Sequence, residues 1–360
     1  MQPPNQTNAN YEPASCSLQV DSWMTGQTVL LIAGGTLNLA VNCLVIELLR
    51  HSTSLPGSLR LLLQSMFAAQ ALTSVFYLES ALYLLLWLDS VHISWSTCAL
   101  LGAPLLVGGI SCNTGLLAVG LERLMASHSY QHPKPAAILL VAISWTSGMA
   151  AQLCAVVFSA RGQACLCHPF LAMATRLTEL DIVVSIAGPL VCLFLLLFVS
   201  RWSSARYARF GINQARTTLL RQRWQLHHCK QSTRALLPMA LLQMLIVPGV
   251  LVLWSLVHRQ LQLHPTNPTA SLFLMGNFGL LLYTSVCPLF LLKCNRNLQK
   301  TLSRKYPALS ALLHRTRIVA SPCLPVPLRE QQVVVCFHAD PREAQDIVEF
   351  FWMIQASKRS

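Results

Sequence analysis

Glu122 and Arg123 stand side by side in the stretch GLERLMAS, directly after the uncharged run LLGAPLLVGGISCNTGLLAVG. A charge inside an apolar segment is expensive, so it must pair or reach water. Neighbouring helix residues point about 100° apart. Arg123 can then face inward while Glu122 covers its flank; the plainer reading is an interfacial charge pair marking a helix end. Three more polar side chains lie among apolar neighbours. These are Glu79 in SVFYLESALYLL, and Asn113 and Thr114 in the run before Glu122. Isolated polar groups in such surroundings are the default candidates for contacting a small ligand. The alternative is that each bonds a neighbouring helix. Glu179 and Asp181 read as interfacial. His227, His228 and Cys229 are adjacent but have no fourth ligand, so no metal site and no cofactor are expected.

The elements that must position these residues follow from composition. The chain has 360 residues, 54% hydrophobic and 11% charged, with a mean hydropathy of +0.50. Soluble domains carry about a quarter charged residues. The apolar residues here are gathered into runs of about 20 or more, the length that crosses a bilayer as a helix. Seven spans are expected, at 27–49, 59–87, 98–122, 136–159, 179–200, 235–257 and 271–292. The fold class is an all-α membrane protein, a seven-transmembrane helix bundle with contact to the lipid bilayer. Most of the thirteen cysteines lie inside the apolar runs, which argues against a disulfide-rich secreted scaffold and for buried free thiols.

Charge sets the orientation. The net charge is +13, which in a soluble chain would point to nucleic acid. Here only Arg161, Arg176 and Arg259 fall on one side of the expected spans, and the other 23 of 26 Lys and Arg fall on the opposite side. The positive-inside rule places the N-terminus outside and the C-terminus inside, with no nucleic-acid partner. Residues 1–26 then form an extracellular tail, with no signal-peptide pattern and a glycosylation sequon at Asn5. Residues 27–292 form the membrane domain, and 293–360 a cytoplasmic helix and tail. The stretch Arg201–Arg234 holds eight basic residues and no acid; it reads as an inner loop facing anionic lipid.

Landmarks now accumulate. Cys98 precedes Arg123 by 25 residues, which as one helix would rise roughly 37 Å and cross the bilayer. Asn42-Cys43-Leu44-Val45-Ile46 lies in span one and Trp145 in the middle of span four. Pro189, Pro248 and Pro288 fall in spans five, six and seven, where proline frees a carbonyl and kinks a helix. After Pro288, Leu298 and Leu302 share a face beside Arg296, Lys300 and Arg304, as in an amphipathic helix lying on the inner leaflet. Over roughly residues 26–305 this set resembles the rhodopsin-like G-protein-coupled receptors. LPGSLRLLLQSMFAAQALTSV and LERLMAS ahead of Tyr130 make it most like the nematode serpentine chemoreceptors.

The resemblance implies several roles. Glu122 and Arg123 would hold the inner end shut and meet a heterotrimeric G protein. Cys98 would form a disulfide with the loop before span five, with Cys167 preferred over Cys165. The three prolines would act as hinges. A small-molecule ligand would sit in the outer half of the bundle, and the protein would be a plasma-membrane chemoreceptor, the sensory cilium being a candidate location, and not an enzyme. The chain departs from the pattern at Gln70, where the family has an aspartate, at Ile246, where it has a tryptophan, and at Cys287-Pro288-Leu289-Phe290-Leu291. A divergent rhodopsin-like receptor of another kind, a receptor-like protein that no longer signals, and a seven-span transporter or membrane enzyme remain as alternatives. No Gly-x-Ser-x-Gly, His-Glu-x-x-His or internal repeat supports the last. In the tail, Asp340-Pro341-Arg342-Glu343 makes a capping box ahead of a further amphipathic helix.

Overall fold

In a computed structural model of the chain, residues 22–52, 55–87, 93–129, 134–157, 163–164, 175–209, 217–263 and 267–315 are described. Among them the elements run α1 (Ser22–His51), α2 (Gly57–Trp87), β1 (Ile93–Ser94), α3 (Trp95–Leu101), α4 (Ala103–Ser129) and α5 (Lys134–Val157). They continue with β2 (Gln163–Ala164), α6 (Thr175–Arg209), α7 (Thr217–Leu263), α8 (Asn267–Cys294), α9 (Arg296–Lys305) and α10 (Pro307–Arg315). Seven helices are long and apolar enough to cross a membrane. These are α1, α2 and α4 to α8, one for each expected span. The bundle ends at Ser310, and a second unit covers Ala311–Ser360. Asn5, Cys167 and the tail segment 340–351 lie outside the described residues.

The helices pack in sequence, α1 on α2, α2 on α4, α4 on α5 and α6, α6 on α7 and α7 on α8, and α8 returns to α1. α4 is the centre: 67% of its apolar window is buried, against 28% in α1 and 22% in α5. The outer helices turn large apolar side chains away from the bundle, among them Leu245 at 75% exposure, Phe194 at 69% and Leu153 at 65%. A continuous apolar exterior of this kind is untenable in water and is what lipid contact requires.

Small residues set how closely α4 approaches its neighbours. A methyl added at Gly108 would sit 2.6 Å from the Ala69 carbonyl oxygen of α2. One added at Gly148 of α5 would sit 2.7 Å from that of Val107. Within a bilayer, helix association leans on close packing of this type because lipid is as apolar as the side chains.

Two expectations about the elements are corrected. The third span is not one continuous helix from Cys98. It is α3 followed by α4, separated at Gly102, whose N–H bonds back to the Cys98 carbonyl. Pro104 has no N–H to continue the ladder and its ring crowds the preceding turn, so the helix restarts. Cys98 lies on the short α3, which is capped by Ser94 accepting from the Thr97 N–H at 3.2 Å. The basic stretch 201–234 is not simply a loop. α6 continues to Arg209 and α7 begins at Thr217, because Arg, Gln and Leu are good helix formers. Pro189, Pro248 and Pro288 lie inside α6, α7 and α8, and Pro238 is a further proline in α7.

The expected amphipathic helix is α9. Leu298 and Leu302 are buried, while Lys300 and Arg304 are exposed. Lys305 at its end reaches Glu47 of α1 at 3.6 Å. At the opposite end of the bundle β1 and β2 pair antiparallel, Ile93 opposite Ala164 and Ser94 opposite Gln163. This ladder brings the chain just before Cys165 and Cys167 beside the chain just before Cys98.

Candidate functional site

The charged pair forms a closed unit at the C-terminal end of α4. Arg123 is 0% exposed and Glu122 1%. Arg123 donates from Nε to Glu122 Oε2 at 2.6 Å and from Nη2 to Oε1 at 2.7 Å. Its remaining branch, Nη1, donates to Ser232 Oγ of α7 at 2.8 Å. Ser58 Oγ of α2 donates to Glu122 Oε1 at 2.7 Å, and the Cys229 thiol of α7 points at the Arg123 carbonyl at 3.9 Å. Glu122 therefore does not cover a flank, as its angle on the helix suggested. The flexible guanidinium folds back over the carboxylate, and the pair is buried together. Burial of two ions is tolerable only when each is paired and hydrogen-bonded, and here α2, α4 and α7 together meet that condition.

Roughly 15 Å along α4, ten residues at 1.5 Å each, a second polar system begins at Asn113. Its side-chain N–H donates to Ser185 Oγ of α6 at 3.1 Å, and its oxygen accepts from the Gln243 amide of α7. Tyr283 of α8 donates to Gln243 Oε1 at 2.6 Å. Four helices are thus joined by one chain of bonds. Each interhelical bond in a bilayer contributes on the order of 0.6–2 kcal/mol. Asn113→Ala removes two of them, and a loss of about 1–2 kcal/mol in thermal unfolding of the detergent-solubilised protein is expected.

A cavity of about 80 Å³ lies directly beside this chain, between α2, α4, α6, α7 and α8. Leu105, Ile110, Val247, Leu251 and Trp254 give it an apolar wall, and Gln70, Thr73, Asn113, Ser185, Tyr283 and Thr284 give it polar atoms. Among the described residues no Asp, Glu, Lys, Arg or His lines it. Trp254 is held against Gly276 of α8, where any side chain would collide with the indole.

The candidate ligand residues separate in space. Asn113 lines the cavity; Glu79 and Thr114 do not. Glu79 is nine residues from the fully buried Gln70, which on a helix is half a turn out of phase. It is therefore exposed on the far side of α2. Thr114 faces α5, donating to the Ile110 carbonyl at 2.8 Å and lying 3.4 Å from Ser147 Oγ.

Cys98 is disulfide-bonded, while Cys43, Cys112, Cys154, Cys192, Cys229, Cys287 and Cys294 are free. Among the described residues no three His, Cys, Asp or Glu side chains gather as a metal site would need. A further buried network ties α1 to α2 and α8: Asn38 donates to Ser74 Oγ at 2.9 Å and Thr284 Oγ1 at 2.7 Å, and Asn42 donates to Asn38 Oδ1 at 2.7 Å. Trp145 of α5 donates to Ser65 Oγ of α2 at 2.8 Å.

Ser58, Ser232, Gln243, Tyr283 and Trp254 were not anticipated from sequence. Gln243 had a signal: it is a lone amide in the apolar run MALLQMLIVPGVL, costly there for the same reason as Asn113. The serines had none, since Ser is neutral enough to occur anywhere in such a helix. Comparison of the sequence with models of known protein families and with curated proteins finds no match in either.

Proposed function

We propose that this multi-pass membrane protein is a chemosensory G-protein-coupled receptor, of the rhodopsin-like kind and most like the nematode serpentine chemoreceptors. It would act at the plasma membrane, the sensory cilium being a candidate site, and not as an enzyme. The observation that carries the reading is the buried Arg123. It is held by Glu122 and tied across to Ser232 of α7, on the same helix whose other half borders a ligand-sized cavity. A ligand entering beside Asn113 and Trp254 would shift α7 and α8 against α4. Movement of α7 breaks the bond from Arg123 to Ser232, opens the cytoplasmic end and exposes the pair to a G protein. The closed pair and the small cavity then belong to the resting state. In this reading Cys98 pairs with Cys167, Asn5 carries glycan, Pro189, Pro248 and Pro288 give the inner halves their hinges, and α9 rests on the inner leaflet.

The test is a screen of small volatile and polar compounds on cells expressing the full chain, with calcium or cyclic-nucleotide readout. Arg123→Ala is expected to abolish an evoked response while protein remains at the surface. An unchanged response in that variant would remove the role assigned to the pair.

A further inference from the structure

We propose that α2 docks a second membrane protein, through a spanning helix of that protein that carries a lysine or arginine level with Glu79. This contact lies outside the receptor reading and requires only that the bundle spans a bilayer. Glu79 is exposed on the outward side of α2, and among the described residues it makes no ion pair and no hydrogen bond. Its surroundings are apolar. Val75 and Leu82, about one turn to either side on the same face, are half-buried and 51% exposed, and Leu78 beside it is half-buried. Glu79 is not at a helix end either. α2 runs eight residues further, to Trp87, and none of these is charged. They carry the helix about 12 Å beyond Glu79, farther than the short carboxylate side chain reaches. A charge set in lipid must pair or reach water. Glu122 turns into the bundle and pairs with Arg123. Glu79 turns outward, so its partner comes from another molecule.

Charge complementarity names the occupant. A carboxylate in lipid calls for a cation at its own depth, toward the end of α2 away from Glu122 and Arg123. A second copy of the chain does not carry one. Every Lys, Arg and His within the seven spans lies near the same end as Arg123, and Arg161, Arg176 and Arg259 fall outside the spans. A lipid amine sits at headgroup level, while Glu79 lies about two turns inside the end of its helix. A helix of another protein can hold an ammonium or guanidinium at the required level. Its remaining contact face then rests on Val75, Leu78 and Leu82, and close packing of this kind supports helix association in a bilayer. Pairing there relieves two intramembrane charges at once, so neither partner gains it from a helix without the opposite charge.

The probe is a pair of synthetic Leu-Ala helices of about 24 residues, long enough to span. One carries a single Lys about two turns from its end and the other has Leu in that place. Their association with the full chain is measured by energy transfer in liposomes of phosphatidylcholine and phosphatidylethanolamine, which involves no G protein and leaves the signalling reading untouched by failure. Wild type is expected to bind the Lys helix about tenfold more tightly than the Leu helix. Glu79→Gln, close in shape and exposed, is expected to fold as wild type does and to bind the two helices equally; Glu79→Leu, which removes the polar group altogether, should do the same. Equal binding of the two helices by wild type, or a preference unchanged in both variants, would overturn the proposal. Self-association of the chain that depends on Glu79 would assign the face to a second copy instead. Retention of phosphatidylethanolamine that depends on Glu79, with no preference between the helices, would assign it to lipid, and either result overturns the docking of a second protein.

Discussion

Glu122→Ala is expected to destabilise the folded protein by about 3–5 kcal/mol, because it strands a buried guanidinium with Ser232 as its remaining side-chain partner. Ser58 loses its acceptor in the same step. The double variant Glu122→Leu, Arg123→Met removes both charges and fills similar volume with apolar atoms. Buried ion pairs replaced in this way are commonly neutral or better for stability, so the double variant should unfold within about 1 kcal/mol of wild type. Thermal unfolding in detergent of wild type, single and double variants measures this. Equal destabilisation in the single and double variants would mean that the pair supports the fold through packing and not through charge. Recovery of stability in the double variant would leave a folded bundle without the pair, and any loss of signalling in it could then be assigned to the pair and not to misfolding.

Gly108→Val is expected to lose about 3 kcal/mol or more, enough to remove most folded protein. Its Cβ would lie 2.6 Å from the Ala69 carbonyl oxygen, 2.5 Å from Thr73 Oγ1 and 3.0 Å from the Thr73 nitrogen. Two of these atoms are backbone, so relief requires prising α2 from α4, and overpacking that moves backbone lies at the costly end of its range. Gly115→Ala, on the same helix, is the matched control. Its Cβ would meet nothing nearer than 3.8 Å, at Met66, and alanine is the better helix former by about 1 kcal/mol. Monodispersity and unfolding temperature after purification should separate the two variants, with Gly108→Val lost and Gly115→Ala retained.

The seven spans were legible in the sequence because bilayer thickness fixes their length and apolarity needs no partner to be read. The Glu122–Arg123 pair was legible for the same reason, since two charges after an uncharged run declare their cost. Which way a side chain points was not. Glu79 and Gln70 are both polar residues in one apolar helix, and only knowing which face of α2 meets α4 shows that Gln70 enters the cavity while Glu79 leaves it. Ser232 illustrates a second limit: 109 residues separate it from Arg123, and no local pattern links them. The break at Gly102 was in principle readable from Pro104, but the apolar run passes through it unchanged, and hydropathy outweighed the missing N–H.

The central claim is that the bond from Arg123 to Ser232 holds the cytoplasmic end closed against a G protein. Guanine-nucleotide exchange by reconstituted heterotrimeric G proteins, one from each major class, tests it most directly with wild type and Ser232→Ala in nanodiscs. Ser232→Ala removes one hydroxyl and leaves the Glu122–Arg123 bonds in place, so the bundle should remain folded. The account predicts that this variant raises ligand-free exchange several-fold over wild type for at least one class. Exchange that stays at the protein-free background for every class, with Ser232→Ala folded, would contradict it.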